Sequence, residues 1–367
     1  MNISFLPRIS LFAGLVLTAC SSGTPAEQRA PTTAAQNFTL IAPDNPQIRY
    51  TGRVAVNDEA ALYDWANVQI EFRVRAPRLE LLFDDGKNDY NLFIDGVLRR
   101  TISTSSEVKT YPVELSRAPH HVKITKRTGP NFGSGTFLGI QLPEGSELLD
   151  LPPRPPRKIE FIGDSYTVGY GNEGPGVDCG GVYRPYENSY LTFATIAARA
   201  LNAESHLTAI SGYGAVRNYG DPNPTSDTPM PFYYARTLME RDDLPWDFAS
   251  WRPDAVVVKL GANDHSTQPE PPADVFIAGL QGLLEQVHSA YGDVPVFLVA
   301  DTFRKQLAER VERTTALERD KGNNQAYYVV LKHPSRDQLG CDSHPSVAAQ
   351  EIMAVELVDA IKPVLNW

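Results

Sequence analysis

The stretch Lys158-Ile159-Glu160-Phe161-Ile162-Gly163-Asp164-Ser165 decides the fold of this 367-residue chain. Its first five residues are mostly apolar and follow a proline-rich segment, which is typical of a buried parallel strand. Gly163 permits the sharp turn that ends such a strand. Ser165 is therefore expected at the carboxyl end of a strand, where reactive groups gather in open α/β sheets.

Two polar residues that follow Ser165 along the chain complete a chemical pattern. Asn263 closes another apolar run within Gly261-Ala262-Asn263-Asp264, and His344 lies within Asp342-Ser343-His344-Pro345, just before a helical C-terminus. A serine hydroxyl needs a nearby imidazole to take its proton before it becomes a good nucleophile. Each segment alone is typical of an ordinary turn. Their joint placement at strand ends favours a catalytic serine with a histidine base.

Several motifs resemble those of a known superfamily. Gly163-Asp164-Ser165, Ile210-Ser211-Gly212, Gly261-Ala262-Asn263-Asp264 and the Asp342/His344 pair look like the four blocks of the SGNH (GDSL-type) hydrolases. The longer stretches at residues 163–173, 187–192 and 211–220 are similar to carbohydrate esterase family 2. That family places a β-sandwich domain ahead of the hydrolase domain, so the resemblance covers most of the chain.

The resemblance implies a role for each matching residue. Ser165 would be the nucleophile and His344 the general base, while the Ser165 amide, the Gly212 amide and the Asn263 side chain would form the oxyanion hole. Such donors stabilise charge that appears only in the tetrahedral intermediate. Asp342 lies two residues before His344, whereas the general SGNH pattern has three. Either the Asp342 carboxylate or a backbone carbonyl can therefore be the group that orients the imidazole.

The resemblance also implies a function. The predicted enzyme is an O-acetyl esterase that uses Ser-His catalysis on acetylated polysaccharides or oligosaccharides of the xylan or mannan type, without a cofactor. One alternative is an SGNH esterase that acts on another acyl ester, in peptidoglycan, exopolysaccharide or a small ester. A second alternative is a non-catalytic lipoprotein that binds glycan.

The chain changes character near residue 150. Before it, short alternating runs such as residues 68–74 and 79–83 are separated by turns, which is typical of an antiparallel β-sandwich, here expected to be jelly-roll-like and to span residues 37–148. A proline-rich linker is predicted at residues 149–157.

After the linker, strand-like and helical segments alternate through residues 158–367. Apolar runs at 255–260, 294–300 and 327–331 are predicted strands, and residues 189–201, 274–290 and 346–365 are predicted helices. This alternation favours a three-layer α/β fold with a parallel sheet. The resemblance to SGNH hydrolases implies that the sheet is flavodoxin-like.

The N-terminus predicts export. Arg8 precedes an apolar run at residues 11–17 that is too short to span a bilayer and is typical of a signal peptide. It leads to Leu17-Thr18-Ala19-Cys20, which resembles a bacterial lipobox, and residues 21–36 have the composition of a flexible tether. We expect residues 1–20 to form a lipoprotein signal ending at Cys20, whose lipidation would anchor the protein at the outer membrane or cell surface, with periplasmic exposure as another possibility. An ordinary secretory signal is the alternative.

The other two cysteines, Cys179 and Cys341, fall in loops expected at the active-site end of the sheet. In an exported protein they are able to pair, which would brace the loop that carries His344; two free thiols are the alternative. No Cys or His residues show metal-ligand spacing, so a catalytic metal is not indicated.

Composition limits the partners. A net charge of −10 argues against nucleic acid and anionic membrane surfaces, and leaves membrane attachment to the lipid anchor alone. Neutral polysaccharide is compatible with this charge. Tyr213, Tyr219 and Trp246 lie between predicted site segments and are candidates to stack on sugar rings, with packing inside a long loop as the alternative.

Overall fold

The structure is a computed structural model that describes residues 37–105 and 107–367. The predicted signal peptide with its lipobox at Cys20, and the tether at residues 21–36, lie outside the described residues. Both therefore stay predictions. No helix in the described ranges combines the length and apolarity needed to cross a membrane.

The first part of the described chain is built of antiparallel strands. In chain order these are β1 (Phe38–Ile41), β2 (Arg49–Thr51), β3 (Ala55–Val56), β4 (Ala61–Tyr63), β5 (Gln69–Arg75), β6 (Arg78–Asp84), β7 (Asp89–Ile94), β8 (Val97–Ser103), β9 (Val108–Glu114), β10 (Pro119–Lys126), β11 (Gly135–Pro143) and β12 (Glu147–Leu149). One sheet has the order β3-β4-β11-β6-β9 with β1 paired to β11, and the other has the order β12-β5-β10-β7-β8 with β2 paired to β5.

Side-chain alternation explains why these strands form a sandwich. In β6, Leu79, Leu81 and Phe83 are buried while the residues between them are only partly covered. Because successive side chains of a strand point to opposite faces, these three residues share the inner face of their sheet. They meet Phe72 and Val122 of the other sheet in one core.

The second part of the described chain alternates strands and helices. Its elements are β13 (Arg157–Gly163), α1 (Ser165–Val168), α2 (Phe193–Ala200), β14 (Ala203–Ala209), α3 (Met230–Tyr233), β15 (Arg236–Leu238), β16 (Arg241–Pro245), β17 (Ala255–Lys259), α4 (Ala273–Tyr291), β18 (Val296–Asp301), α5 (Lys305–Asp320), β19 (Ala326–Leu331) and α6 (Val347–Leu365). Five strands form a parallel sheet in the order β14-β13-β17-β18-β19, and β15 and β16 form a separate hairpin.

Helices cover both faces of the parallel sheet. Phe161 of β13 packs in a core cluster with Phe193 of α2 and Met353 of α6. Its neighbour Ile162 belongs to the opposite cluster, with Leu280 of α4 and Val311 of α5. Strands buried on both faces are expected to be continuously apolar, as β13 and β17 largely are. The predicted three-layer α/β domain after a β-sandwich is therefore the observed architecture.

The sandwich packs directly onto the parallel-sheet part. Arg53, between β2 and β3, forms a buried ion pair of 2.8 Å with Glu160 of β13. The Trp65 indole donates a hydrogen bond of 2.9 Å to the Thr237 carbonyl in β15. The sequence interpretation did not predict the β15–β16 hairpin, which contributes this contact with the sandwich.

Candidate active site

Ser165 lies where the end of β13 turns into α1. Asp164 caps this short helix by accepting a hydrogen bond of 3.1 Å from the Tyr166 amide. A Cβ atom at Gly163 would overlap the Thr167 side chain, so the turn requires glycine at this position. The turn thus presents the Ser165 hydroxyl at the carboxyl edge of the sheet, as the sequence predicts.

His344 reaches this serine from the loop between β19 and α6. Its Nε2 atom lies 2.8 Å from the Ser165 Oγ, a hydrogen-bond distance. Its Nδ1 atom lies 3.3 Å from the Cys341 carbonyl oxygen and 3.2 Å from the Asp342 carbonyl oxygen. Because carbonyl oxygens only accept, Nδ1 is the protonated nitrogen, and Nε2 is left to accept the serine proton.

Burial keeps this imidazole neutral. It lowers the pKa of His344 to about 4, against the opposing effect of the two carbonyls and the Asp342 carboxylate. Burial disfavours the charged form of a histidine, so the imidazole remains a free base across the neutral range.

The Asp342 carboxylate makes its hydrogen bond elsewhere. Its Oδ2 atom accepts a hydrogen bond of 2.6 Å from the Tyr170 hydroxyl. The Asp342 backbone has a φ of 49°, a left-handed conformation that turns the carbonyl and the side chain in different directions. Of the two alternatives left open by the sequence, the structure places backbone carbonyls behind Nδ1.

Tyr170 contacts both the aspartate and the histidine. Its ring centroid is 4.3 Å from that of His344, and on the other side Tyr183 stacks on it at 4.0 Å. Burial, followed by the Asp342 hydrogen bond, raises the pKa of Tyr170 above its usual value. Tyr170 therefore stays protonated and keeps donating to Asp342.

The predicted oxyanion donors lie on the loops that follow β14 and β17. Gly212 has a φ of 86°, a conformation that favours glycine, and none of the hydrogen bonds within the described residues uses its amide. Asn263 donates one Nδ2 hydrogen to the Tyr213 carbonyl at 2.7 Å, which orients the amide and leaves its second hydrogen free. Both donors line the same cleft as Ser165.

Asp264 fixes the spacing between these two loops. Its carboxylate accepts hydrogen bonds from the amides of Ala215, Val216 and Arg217 at 2.8–2.9 Å. Through these three hydrogen bonds, Asp264 fixes the position of the Gly212 loop relative to Asn263. The sequence interpretation quoted Asp264 within a motif but gave it no role.

The sandwich also reaches this loop. Asn131, in the 3-10 helix Pro130–Phe132, donates to the Ser211 carbonyl at 3.1 Å and accepts from the Ser211 amide at 3.2 Å. Ser211 directly precedes Gly212, the predicted oxyanion donor. No sequence signal indicates this contact, because Asn131 lies in a turn of the other domain.

A disulfide joins Cys179 to Cys341 in the structure. Cys341 is fully buried, and its carbonyl is one of the two that face His344. Its amide donates a hydrogen bond of 3.1 Å to the Gly171 carbonyl. The covalent bond and this hydrogen bond together tie the histidine loop to the segment that follows Ser165.

The cleft above these groups has a volume of about 720 Å³. Tyr219 lines it and is 64% exposed, so its ring is open to a ligand. Tyr213 does not line it; the ring packs edge-on against Tyr233, with centroids 5.6 Å apart. Of the three aromatic candidates from the sequence, Tyr219 is the one in the cleft.

Trp246 also lies away from the cleft, because it directly follows the β15–β16 hairpin, which turns toward the sandwich. Its ring centroid lies 5.5 Å from the Arg53 guanidinium carbon and 5.9 Å from the His206 ring. The expectation that Trp246 stacks on substrate is not supported by this position.

Among the cleft residues that the sequence interpretation missed, several lie on the loops after β18 and β19. Phe303 and Arg304 follow β18, and His333 and Arg336 follow β19. The signal that could have found them is the rule that led to Ser165, since loops after parallel strands meet at one edge of a sheet.

The described residues include no group of three His, Cys, Asp or Glu side chains placed to hold a metal ion. The groups present are suited to acyl transfer: a hydroxyl next to a neutral base, with hydrogen-bond donors beside it. Together with the doubly covered parallel sheet, this chemistry defines the class of SGNH serine hydrolases.

Comparisons with known proteins agree with this class. Residues 50–152 match the model for the carbohydrate esterase 2 N-terminal domain, and residues 161–351 match the GDSL-like lipase/acylhydrolase family. An acetylxylan esterase / glucomannan deacetylase from Cellvibrio japonicus is 31% identical over 364 residues, covering 95% of this chain and 96% of that protein.

Two further relatives extend the comparison. The cellulase/esterase CelE of Acetivibrio thermocellus is 32% identical over 88% of this chain, which spans only 40% of that longer protein. The solved structure of a family two carbohydrate esterase from Clostridium thermocellum in complex with cellohexaose has a TM-score of 0.80 and 30% identity, covering 87% of this chain and 99% of that chain. The chain belongs to carbohydrate esterase family 2, and it is a carbohydrate acetylesterase.

Proposed function

We propose that this enzyme removes acetyl groups from xylan- or glucomannan-type polysaccharides, with Ser165 as nucleophile and His344 as general base. The observation that carries the proposal is the 2.8 Å contact between the Ser165 Oγ and the unprotonated Nε2 of His344. A serine hydroxyl in contact with a neutral imidazole can transfer its proton as it attacks a carbonyl.

In the first half-reaction, the Ser165 Oγ attacks the acetyl carbonyl carbon while Nε2 takes the hydroxyl proton. The oxyanion that forms is bound by the Ser165 amide, the Gly212 amide and the Asn263 side chain. When the tetrahedral intermediate collapses, the C–O bond to the sugar breaks, and the leaving hydroxyl takes the proton from His344. Acetyl-Ser165 remains.

In the second half-reaction, water replaces the sugar. His344 removes a proton from the water as it attacks acetyl-Ser165, and the same donors bind the second oxyanion. Collapse returns the proton to the Ser165 Oγ and releases acetate. Throughout both steps, the carbonyls of Cys341 and Asp342 keep Nδ1 protonated and hold the ring in one orientation.

The polysaccharide substrate is supported by the openness of the cleft and by the relatives. Tyr219 and Phe303 are 64% and 63% exposed at the cleft, so each ring leaves apolar surface open for contact with sugars. The Cellvibrio japonicus relative is named for acetylxylan and glucomannan.

We also propose that the enzyme is a bacterial lipoprotein anchored through Cys20. The lipobox-like segment at residues 17–20 supports this proposal. Metabolic labelling of the full chain with a clickable fatty acid is expected to label the wild type and not Cys20→Ala. Equal labelling of both forms would contradict the anchor, and labelling of neither would indicate an ordinary secretory signal.

The substrate is tested by acetate release from acetylated xylan, acetylated glucomannan and O-acetylated peptidoglycan, measured with the form that starts after Cys20. We expect release from the two plant polysaccharides by the wild type and none by Ser165→Ala. If only peptidoglycan or a short activated ester releases acetate, the proposed polysaccharide substrate is wrong, whereas the proposed Ser-His mechanism is retained. No release from any ester would indicate a binding protein.

A further inference from the structure

The two ends of the cleft differ in charge. Along the carboxyl edge of the sheet, the strand order β14-β13-β17-β18-β19 places Gly212 and Tyr219 at one end and Ser165 next to them. Arg304 follows β18 and Arg336 follows β19 at the other end. Of the lining residues in the part of the chain that the structure describes, none at the Gly212 end is charged, whereas the β18–β19 end contributes two guanidinium groups.

Neither arginine is neutralised within the described structure. No ion pair of the described residues includes Arg304 or Arg336. Arg304 is half-buried, and it donates to the His265 carbonyl at 3.3 Å and to the Ser266 Oγ at 3.2 Å, both uncharged acceptors. Arg336 is exposed.

The carboxylates nearby already have partners. Asp301 lies 3.5 Å from the Lys259 ammonium and accepts from the Phe303 amide at 3.1 Å. Asp337 accepts from the Ser335 hydroxyl at 2.6 Å, and Asp342 accepts from Tyr170 at 2.6 Å. The two arginines therefore face the cleft with unused charge and unused N–H donors, in a protein whose net charge is −10.

An aromatic surface lies beside them. The ring of Phe303 stacks on His333 with centroids 4.3 Å apart, and Phe303 is 63% exposed. Burial lowers the pKa of His333, so the positive charge of this end comes from the arginines. A stacking face next to planar, five-donor cations suits a sugar that carries a carboxylate.

The spacing suits a sugar beyond the reacting one. Adjacent strands lie about 4.8 Å apart, so β18 and β19 lie roughly 10 and 14 Å from β13 along the sheet. A carboxylate bound there therefore belongs to a sugar other than the acetylated one at Ser165. Among the described lining residues, Asp342 is the only carboxylate, and it lies beside His344 and not at this end.

We infer that Arg304 and Arg336 form a subsite for a uronic acid, so that the preferred substrates are acetylated polysaccharides bearing carboxylates near the acetyl group. This inference rests on the proposed function and narrows its substrate class. The net charge of the whole chain is compatible with a neutral polysaccharide, but the local charge of the cleft favours a substrate that carries carboxylates.

The test compares kcat/KM for acetate release from two matched substrates. These are acetylated xylo-oligosaccharides with glucuronic acid side groups and the same preparation after an α-glucuronidase has removed those groups. We expect the wild type to prefer the charged substrate by about five-fold, because ion pairs that stay partly exposed to solvent are weak. Added salt should reduce this preference.

Arg304→Gln and Arg336→Gln are expected to lower the ratio of the two rate constants, and the double variant to bring it to about one. Arg99→Gln removes the same charge from an exposed position on β8 and should leave the ratio unchanged. Acetylated oligogalacturonides carry their carboxylates on the main chain, so their kcat/KM shows whether the subsite binds main-chain or side-group uronic acids. A preference for either kind of charged substrate supports the inference.

Equal rates on the charged and uncharged substrates, or a preference that survives in the double variant, would overturn the subsite. Failure of the proposed function looks different, because neither substrate would then release acetate.

Discussion

The Tyr170 hydroxyl donates a hydrogen bond of 2.6 Å to the Asp342 carboxylate, so the acid of the Asp342/His344 pair is bound to a tyrosine and not to the catalytic imidazole. Asp342 orients His344 through its backbone carbonyl oxygen, which lies 3.2 Å from the His344 Nδ1. This geometry supports the proposed Ser-His dyad, in which main-chain carbonyls orient the imidazole.

This arrangement predicts a small effect of Asp342→Asn. Asparagine tolerates the left-handed backbone at this position and still accepts from Tyr170, so the carbonyl should stay in place. We expect kcat/KM to fall by less than about ten-fold, whereas the same change in a carboxylate-oriented triad costs about 10⁴. A loss of that larger size in steady-state acetate release would show that the carboxylate itself orients His344.

The pH dependence of kcat/KM should follow the titration of the buried His344 imidazole. Only the neutral imidazole accepts the Ser165 proton, and burial lowers the pKa of His344 to about 4. As the pH falls through this value the imidazole becomes charged and activity is lost, so the acid limb is expected near pH 4 instead of near the usual histidine value of about 6.5. Assays returned to neutral pH separate this loss from unfolding. A midpoint at 6.5 or above would contradict the neutral, desolvated imidazole.

The contact between Asn131 and Ser211 predicts that the sandwich domain contributes to catalysis. Asn131→Ala removes two hydrogen bonds to the residue before Gly212, so kcat/KM should fall by about ten-fold if each bond is worth roughly 0.5–1 kcal/mol. Asn324→Ala, at an exposed turn with no side-chain hydrogen bond among those described, serves as the matched control. Equal activity of the two variants would mean that the oxyanion loop does not depend on the sandwich.

The disulfide predicts sensitivity to reductant. Opening Cys179–Cys341 frees the loop whose carbonyls orient His344, and removal of a native disulfide typically costs about 2–5 kcal/mol of stability. Dithiothreitol should lower both Tm and kcat in the wild type, and reoxidation should restore them. The double variant Cys179→Ser/Cys341→Ser should have the lowered Tm and kcat from the start, and dithiothreitol should not change them. Full activity of the reduced wild type would show that hydrogen bonds alone hold the loop.

The parts of the site that the sequence predicts are those set by topology. Ser165 and Asn263 follow apolar runs that become the neighbouring parallel strands β13 and β17, and their shared edge follows from the strand–helix alternation. β14, α5 and the β15–β16 hairpin were not predicted. Residues 203–209 mix polar and apolar side chains although all are buried, so their pattern does not indicate a strand.

Other parts depend on contacts between distant segments. The carbonyls behind His344 depend on left-handed backbone at Asp342 and Ser343, which residue types alone do not encode. Trp246 was assigned to the cleft because it precedes Asn263 in the chain, but the hairpin before it packs on the sandwich around Arg53. The role of Asn131 arises from a domain contact across 80 residues.

The central claim, that Ser165 and His344 act as one unit on acetyl esters, is tested by acetate release from acetylated xylan with Ser165→Ala, His344→Ala and the double variant. Residues that act as a unit lose activity non-additively. We expect each single variant to lose at least about 10³ in kcat and the double variant to lose little more. Acetate release that persists in Ser165→Ala, or losses that multiply in the double variant, would contradict the dyad.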